Sequence, residues 1–329
     1  MIPLGQITGE VRDVREWTSQ IGSTAPTISN TKAMTGEYSV RFAANTASIG
    51  LSFPSQSGLR CGTWLNHAMP SGSFTAHLFR LRIGVTEIVR VQWVGNGNLQ
   101  LLINGSVVAE ISPQATAISQ TNTWIALGLS YIANGTVTFY VNGLAQLRYA
   151  APNTPINEAY IGGGTWGNYA YFDDFYVDGN ISVDEAPPPD RFLFKLVNDV
   201  GASSQWTPVG ASNNYQCVND AVPNNDTNYV VANTANLTDL YKTTNVTLPT
   251  DYKVSAVLPI ALARAMAAGP TLRFVASDGS NTTIRNERAP GMAYTYLWES
   301  LSQAPDGGEW TESKINATQF GYRSAGIFS

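Results

Sequence analysis

Apolar and polar residues alternate in short runs along most of this chain, the period of two that sends one face of a β-strand into a core. In Thr86–Val94 the residues Val89, Val91 and Trp93 share one face, and Arg90 and Gln92 the other. Ile125, Leu127, Leu129 and Tyr131 repeat the pattern in Asn122–Tyr131, as do Val137, Phe139 and Val141 in Thr136–Val141. Asn104-Gly105, Asn134-Gly135 and Asn142-Gly143 separate such runs, and each predicts a hairpin turn because both residues tolerate positive φ. The same reading predicts strands over Tyr38–Phe42, Ser48–Phe53, Arg60–Asn66, Ser73–Ile83, Asn98–Ile103, Ser106–Ile111 and Leu144–Tyr149. Within Ser73–Ile83 the apolar parity slips after Leu78, which predicts a bulge. Residues 1–35 show no such period and are expected to form a lead-in arm anchored by Trp17.

The stretch Tyr160–Val183 closes this first series. It passes from Gly162-Gly163-Gly164 into an aromatic, β-branched strand and ends at Asp178-Gly179. Phe175 and Val177 share one face, Tyr176 and Asp178 the other. Phe172 has the wrong parity for the apolar face, so a bulge is predicted at Asp173-Asp174. Pro187-Pro188-Pro189 follows, and three prolines favour extended geometry without ladder hydrogen bonds. The expected organisation is a first domain over 1–184, a Pro-rich spacer over 185–190 and a second domain over 191–329.

Beyond the spacer the pattern stays β, through Phe192–Val197, Tyr229–Val231, Leu240–Thr243, Tyr252–Leu262, Thr271–Ala276, Asn281–Asn286, Tyr294–Trp298 and Phe320–Arg323. Ala261–Ala268 has helix propensity, but the alternation Val254, Ala256, Leu258, Ile260, Leu262 runs into it and favours a strand. Thr311 before Lys314–Ala317 predicts one short helical turn. The fold class expected is all-β, two antiparallel β-sandwich domains.

Composition narrows the function classes. Charged residues are 13% of the chain and the net charge is −5, without a basic run, so no nucleic-acid footprint is expected. No apolar window is long enough for a membrane-spanning helix, and the N-terminus lacks the charged and apolar regions of a secretory signal. Cys61 and Cys217, one per expected domain, read as free thiols.

Candidate chemistry is sparse. Glu10, Asp13 and Glu16 are spaced by three, which puts neighbours on opposite strand faces, not in one cleft. His67 and His77 have no metal-ligand spacing, and His77 is expected to face solvent. Gly162-Gly163-Gly164 lacks the Lys-Ser/Thr of a phosphate loop and reads as a flexible entry to the next strand. Asp173-Asp174 invites an ion or acid–base reading, set against one in which one carboxylate faces solvent and the other caps backbone amides. Trp166, Tyr169 and Tyr171, with Asp173 and Asp174 beside them, are the candidate glycan-contacting residues, because aromatic faces stack on sugar rings. No catalytic, cofactor or metal site is assigned.

Two resemblances add to this reading. Trp124–Ile132, Gly135–Gly143 with its Val-Asn-Gly ending, and the Phe172–Gly179 strand resemble a laminin-G or concanavalin-A-like jelly roll over residues 36–183. Gly201–Pro208, Asn213–Val218, Thr227–Val230, Asp239–Tyr241, Trp310–Ala317 and Phe320-Gly321 resemble the C-terminal part of structural proteins of tailed bacteriophages. That second resemblance implies a non-enzymatic virion component, made in the host cytoplasm and assembled with other virion proteins and copies of itself, without cofactor, nucleic acid or membrane insertion. A receptor-recognition module binding a host-surface glycan on a tail fibre and a jelly-roll glycan hydrolase are the alternatives.

Overall fold

A computed structural model describes residues 2–7 (backbone), 17, 19–43, 46–68, 74–95, 97–112, 117–248, 250 and 252–328. The chain divides into two units, Met1–Phe192 and Leu193–Ser329. In chain order the first contains β1 (Ile2–Ile7), β2 (Ser19–Ile21), β3 (Thr27–Ser29), β4 (Ser39–Phe42), β5 (Ser48–Gln56), β6 (Gly58–His67), β7 (Thr75–Ile83), β8 (Thr86–Val94), β9 (Leu99–Ile103) and β10 (Ser106–Ile111). It continues with β11 (Ile125–Ile132), β12 (Thr136–Val141), β13 (Leu144–Ala150), β14 (Ile156–Ile161), β15 (Gly164–Thr165) and β16 (Ala170–Gly179).

These strands form two antiparallel sheets. Sheet A has the order β13-β12-β11-β6-β16-β4-β3, with β1 also against β16. Sheet B has the order β10-β9-β8-β7-β14-β5-β2, with β15 against β7. Their apolar faces share one core, in which Leu129, Phe139, Phe175 and Val177 of sheet A meet Phe79, Leu81, Val91 and Trp93 of sheet B. The rings of Phe79 and Phe139 cross this interface at 6.3 Å, edge to face. Cys61 and Cys217 are free and buried.

The register shifts between His77 and Phe79 in β7 and between Asp173 and Tyr176 in β16, where the parity slips predict bulges. Asn104 and Asn142 adopt positive φ together with the glycines that follow them. At Asn134 only the asparagine is left-handed, within a three-residue loop closed by Gly135 N–H donating to Ile132 O at 2.9 Å. The described parts of residues 1–35 are not a free arm. They supply β1, β2 and β3 to the two sheets, and Trp17 enters the core. β2 and β3, three residues each at the sheet margins, are too short to display a period. Glu10, Asp13 and Glu16 lie outside the described residues.

The second unit contains β17 (Val197–Ser204), β18 (Thr207–Val209), β19 (Tyr229–Val231), β20 (Thr238–Thr243), β21 (Ile260–Ala263), β22 (Pro270–Ser277), β23 (Thr282–Arg288), β24 (Thr295–Trp298), α1 (Glu312–Ala317) and β25 (Gln319–Gly326). One antiparallel sheet, β17-β20-β25-β22-β23, is accompanied by the ribbons β18–β19 and β21–β24. The helix propensity of 261–268 loses to pairing with β24, but only as far as Ala263. Thr311 caps α1, its hydroxyl accepting from Lys314 N–H at 3.3 Å. The predicted strand at Phe192–Val197 instead begins at Val197.

Candidate functional site

The aspartates of β16 fold inward. Asp174 takes φ 50°, and both carboxylates are buried. Asp173 Oδ2 accepts from the amides of Met34 at 2.7 Å and Thr35 at 3.2 Å, and its Oδ1 from Asp174 N–H at 2.8 Å. Thr35 Oγ1 donates to Asp174 Oδ2 at 2.7 Å. Burial, then the neighbouring Asp174, pushes the Asp173 carboxyl up to about 9, against the pull of three amides. Neither carboxylate faces solvent. The pair clamps the segment before β4 to the bulge of β16.

The proposed sugar platform is not assembled. Trp166 is buried edge-on against Phe172 at 5.8 Å, and Tyr171 is buried too. With Asp173 and Asp174 they present no surface to a ligand. Tyr169 alone is exposed, and the Arg41 guanidinium lies over its ring, 3.5 Å from the centroid. Gly162–Gly164 is tightly packed, not a flexible entry: a Cβ on Gly162 would sit 2.2 Å from the Phe42 ring.

The triproline segment, read from sequence as a spacer, is laid across the outer face of sheet A, over β12, β11, β6 and β16. Asp184 accepts the hydroxyls of Thr136 (2.9 Å), Thr138 (2.7 Å) and Tyr140 (2.9 Å), all on β12. Burial raises this carboxyl, but the hydroxyls outweigh it and hold it below the usual range. Pro187 rests on Gly128, where a Cβ would meet its Cδ at 2.7 Å. Glu185 pairs with Arg60 at 2.5 Å, and Arg60 also pairs with buried Asp178 at 3.1 Å. Tyr176 donates its hydroxyl to Pro188 O, Trp64 Nε1 donates to Asp190 O at 3.0 Å, and Arg191 lies over the Trp64 ring. This face is covered by its own chain.

The outer face of sheet B carries a different population. Adjacent strands align Arg80 with Arg90, His77 with Gln92, Gln92 with Gln100, Arg80 with Tyr160, and Arg82 with Glu158. Arg80 Nε binds Glu87 Oε2 at 2.5 Å, and its Nη1 donates to Ser48 Oγ at 3.3 Å. Arg90 Nε lies 3.4 Å from the other Glu87 oxygen. Arg82 reaches Glu158 at 3.4 Å, and Glu158 accepts the Tyr160 hydroxyl at 3.0 Å. Gln92 donates to Gln100 at 2.8 Å, which donates to Glu110 at 2.9 Å. The arginine and glutamate side chains remain 15–24% accessible, so they form a wetted floor. Burial, then Arg80 and Arg90, push His77 down to about 3, so it is neutral at physiological pH. His67 is instead buried edge-on against Trp93.

Sequence reasoning passed over this face because its members are spread over some eighty positions and meet only through strand pairing. The available signal was the side-chain type. Apart from Thr75 and Thr86 at the strand ends, the outward polar positions of β7 and β8 carry Arg, Glu, Gln and His.

In the second unit the resembling residues converge on one buried carboxylate. Asp239 accepts from the amides of Gln205 (2.6 Å) and Trp206 (2.9 Å), from Asn214 Nδ2 (2.5 Å) and from the Tyr241 hydroxyl (2.8 Å). Gly321 packs against Asp239 so closely that a Cβ would meet its carbonyl oxygen at 1.9 Å. This motif is a folding network with its acceptor saturated. Among the described residues no group of three or more His, Cys, Asp or Glu is placed to hold a metal ion.

No family model matches the chain, and no curated protein matches it. Among solved structures it is similar to the cellulose-induced protein Cip1 (14% identity, TM-score 0.40, 49% of this chain and 88% of that one). It is also similar to domain 4 of the arabinanase AbnA from Geobacillus stearothermophilus (14% identity, TM-score 0.38, 57% and 95%). A third likeness is to a Bacillus subtilis protein of unknown function with a galectin-like fold (12% identity, TM-score 0.38, 54% and 96%). Likenesses this distant carry no inference about what this chain binds.

Proposed function

We propose that the chain is a glycan-recognition protein whose binding surface is the polar outer face of sheet B. One observation carries the reading: planar donors and acceptors stand in register across β9, β8, β7 and β14, at the spacing of paired strands. A polyhydroxylated ligand presents hydrogen-bonding groups at comparable intervals, and such a floor meets several at once. The hydrolase alternative gains no support from the carboxylates. Glu87 and Glu158 are committed to arginines, and Asp173 and Asp174 are buried. The likeness of Gly201–Gly321 to tailed-phage structural proteins makes the surface of a virus particle the proposed setting, with other virion proteins and copies of this chain as partners.

The test is a glycan array followed by calorimetry on hits, with Gln92→Ala and Arg80→Ala variants. Both substitutions should weaken binding by about tenfold while the fold is retained, the loss of one or two hydrogen bonds to ligand. A folded protein that binds no glycan, or binds equally well after both changes, would overturn the reading. Mass spectrometry of purified particles tests the setting separately.

A further inference from the structure

We propose that the sheet B face is built for an acidic sugar, whose carboxylate docks on β7 and β8 where His77, Arg80 and Arg90 come together. This rests on the reading of that face as a glycan surface and adds the ligand's charge. Two observations carry it. The first is charge balance. Arg80, Arg82 and Arg90 stand on two neighbouring strands, but the carboxylates that pair with them are Glu87, shared by Arg80 and Arg90, and Glu158. One guanidinium therefore has no carboxylate of its own, because the third glutamate of the face, Glu110, is engaged by Gln100.

The second is hydrogen-bond accounting. Arg82 Nε, Arg90 Nε and His77 Nδ1 are buried nitrogens without a hydrogen-bond partner, and all three lie on this face. Arg90 is close to Glu87 but not aligned with it. The side chains of Arg82 and Arg90 keep 15% and 24% of their surface, so hydrogen-bonding capacity not used within the protein is open to an outside acceptor. The two arginine nitrogens are donors, and an acceptor with no hydrogens of its own suits them. A carboxylate on a pyranose supplies two such oxygens in the plane that a guanidinium fork matches. Arg80 and Arg90 sit directly opposite each other across the β7–β8 pair, bridged by the one carboxylate of Glu87. Two guanidiniums that share a single carboxylate can take a second one. Neutral His77 beside them offers its ring as a further polar contact, without adding a third charge to be desolvated.

Calorimetry would compare a uronate oligosaccharide, its carboxyl-reduced neutral form and a sulfated neutral oligosaccharide. The uronate should bind at least about tenfold tighter than its reduced form, and raised salt should narrow that gap. Arg90→Ala should shrink the preference to about twofold, with Arg90→Lys between, because it keeps charge but not the fork. A sulfated ligand that outbinds the uronate would replace the carboxylate assignment with a sulfate one. Equal binding of the reduced form would overturn the inference and leave the glycan reading standing, whereas no binding of any glycan would remove both. With two histidines in the chain, ring titration by NMR gives a second readout. The His77 titration should move to higher pH on binding the uronate and stay put with the reduced form.

Discussion

The two outer faces of the first unit are made by the same alternation and end in opposite states. On sheet A the outward residues beneath the strap are mostly small, or carry one hydroxyl or ring, with the Arg60–Asp178 ion pair among them. Gly62 and Gly128 sit opposite each other, and Thr136, Thr138, Tyr140, Trp64 and Tyr176 surround them. Absent side chains let a polypeptide lie flat, and single donors aim at its carbonyl and carboxylate oxygens. On sheet B the outward residues are long, planar and multiply hydrogen-bonding, and they bond along the sheet to one another. Side-chain length at alternate positions therefore separates a face that takes its own chain from one that holds a floor for something else.

The largest effect expected is from forcing the first state toward the second. Gly128→Val would drive methyl groups into Pro187 and lift 184–192 from sheet A. Overpacking and the loss of the Tyr176–Pro188 and Trp64–Asp190 bonds together should cost about 2–4 kcal/mol. Chemical denaturation would read the loss, and glycan binding on sheet B should be unchanged. Proteolysis gives a sharper reading. In the parent protein the strap should resist, and trypsin should cut after exposed Lys195, whereas the variant should also open at Arg191. Parent protein cleaved as readily at Arg191 as at Lys195 would mean that the strap is not held.

A smaller effect tests the other face. Glu87→Gln removes the charge that Arg80 and Arg90 share but keeps an acceptor for Arg80 Nε. Stability should fall by about 1 kcal/mol, the difference between a charge-assisted and a neutral hydrogen bond. Affinity for an acidic sugar should rise severalfold, because the ligand no longer competes with a resident carboxylate. If affinity fell instead, Glu87 would be contacting the sugar itself.

How far the chain could be read follows from whether a feature is local. The hairpins at Asn104 and Asn142, and the bulge that restores Phe172 to the core beside Phe175, are written in adjacent residues. The strap was hidden because Pro187–Pro189 has the same local geometry whether it spans solvent or lies on Gly128. β14 was missed because Ile156–Ile161 places Asn157 and Glu158 side by side within a run only six residues long. The candidate glycan residues share sequence proximity to a glycine run, but Trp166 fills the core and Tyr171 is buried on the opposite face of its strand, near Lys32. Arg80, Arg90, Gln100 and Glu158 form a surface only once three registers are known.

The smallest effect concerns pH and separates the faces once more. Asp190, at the end of the strap, is pushed up to about 6 by burial and then by Asp178, against the pull of Arg60. In an unfolded chain its carboxyl titrates near its ordinary value of about 3.9. Between these two values the folded protein holds a proton that the unfolded chain has released. The contribution is therefore fully present below about pH 4 and is lost as pH rises through 6. Because Asp190 is partly wetted, the effect should be about 1 kcal/mol or less. Asp190→Asn mimics the protonated form, and among the described residues the Asp190 side chain makes no hydrogen bond for the change to break. Melting should thus be unchanged at pH 4 and raised by about 2 °C at pH 7.5. Sheet B should show no such difference between variant and parent, because His77 and its arginines lie on the opposite face of the sandwich. A variant that melts lower at pH 7.5 would show that ionised Asp190 stabilises the strap, and would reverse the sign assigned to it.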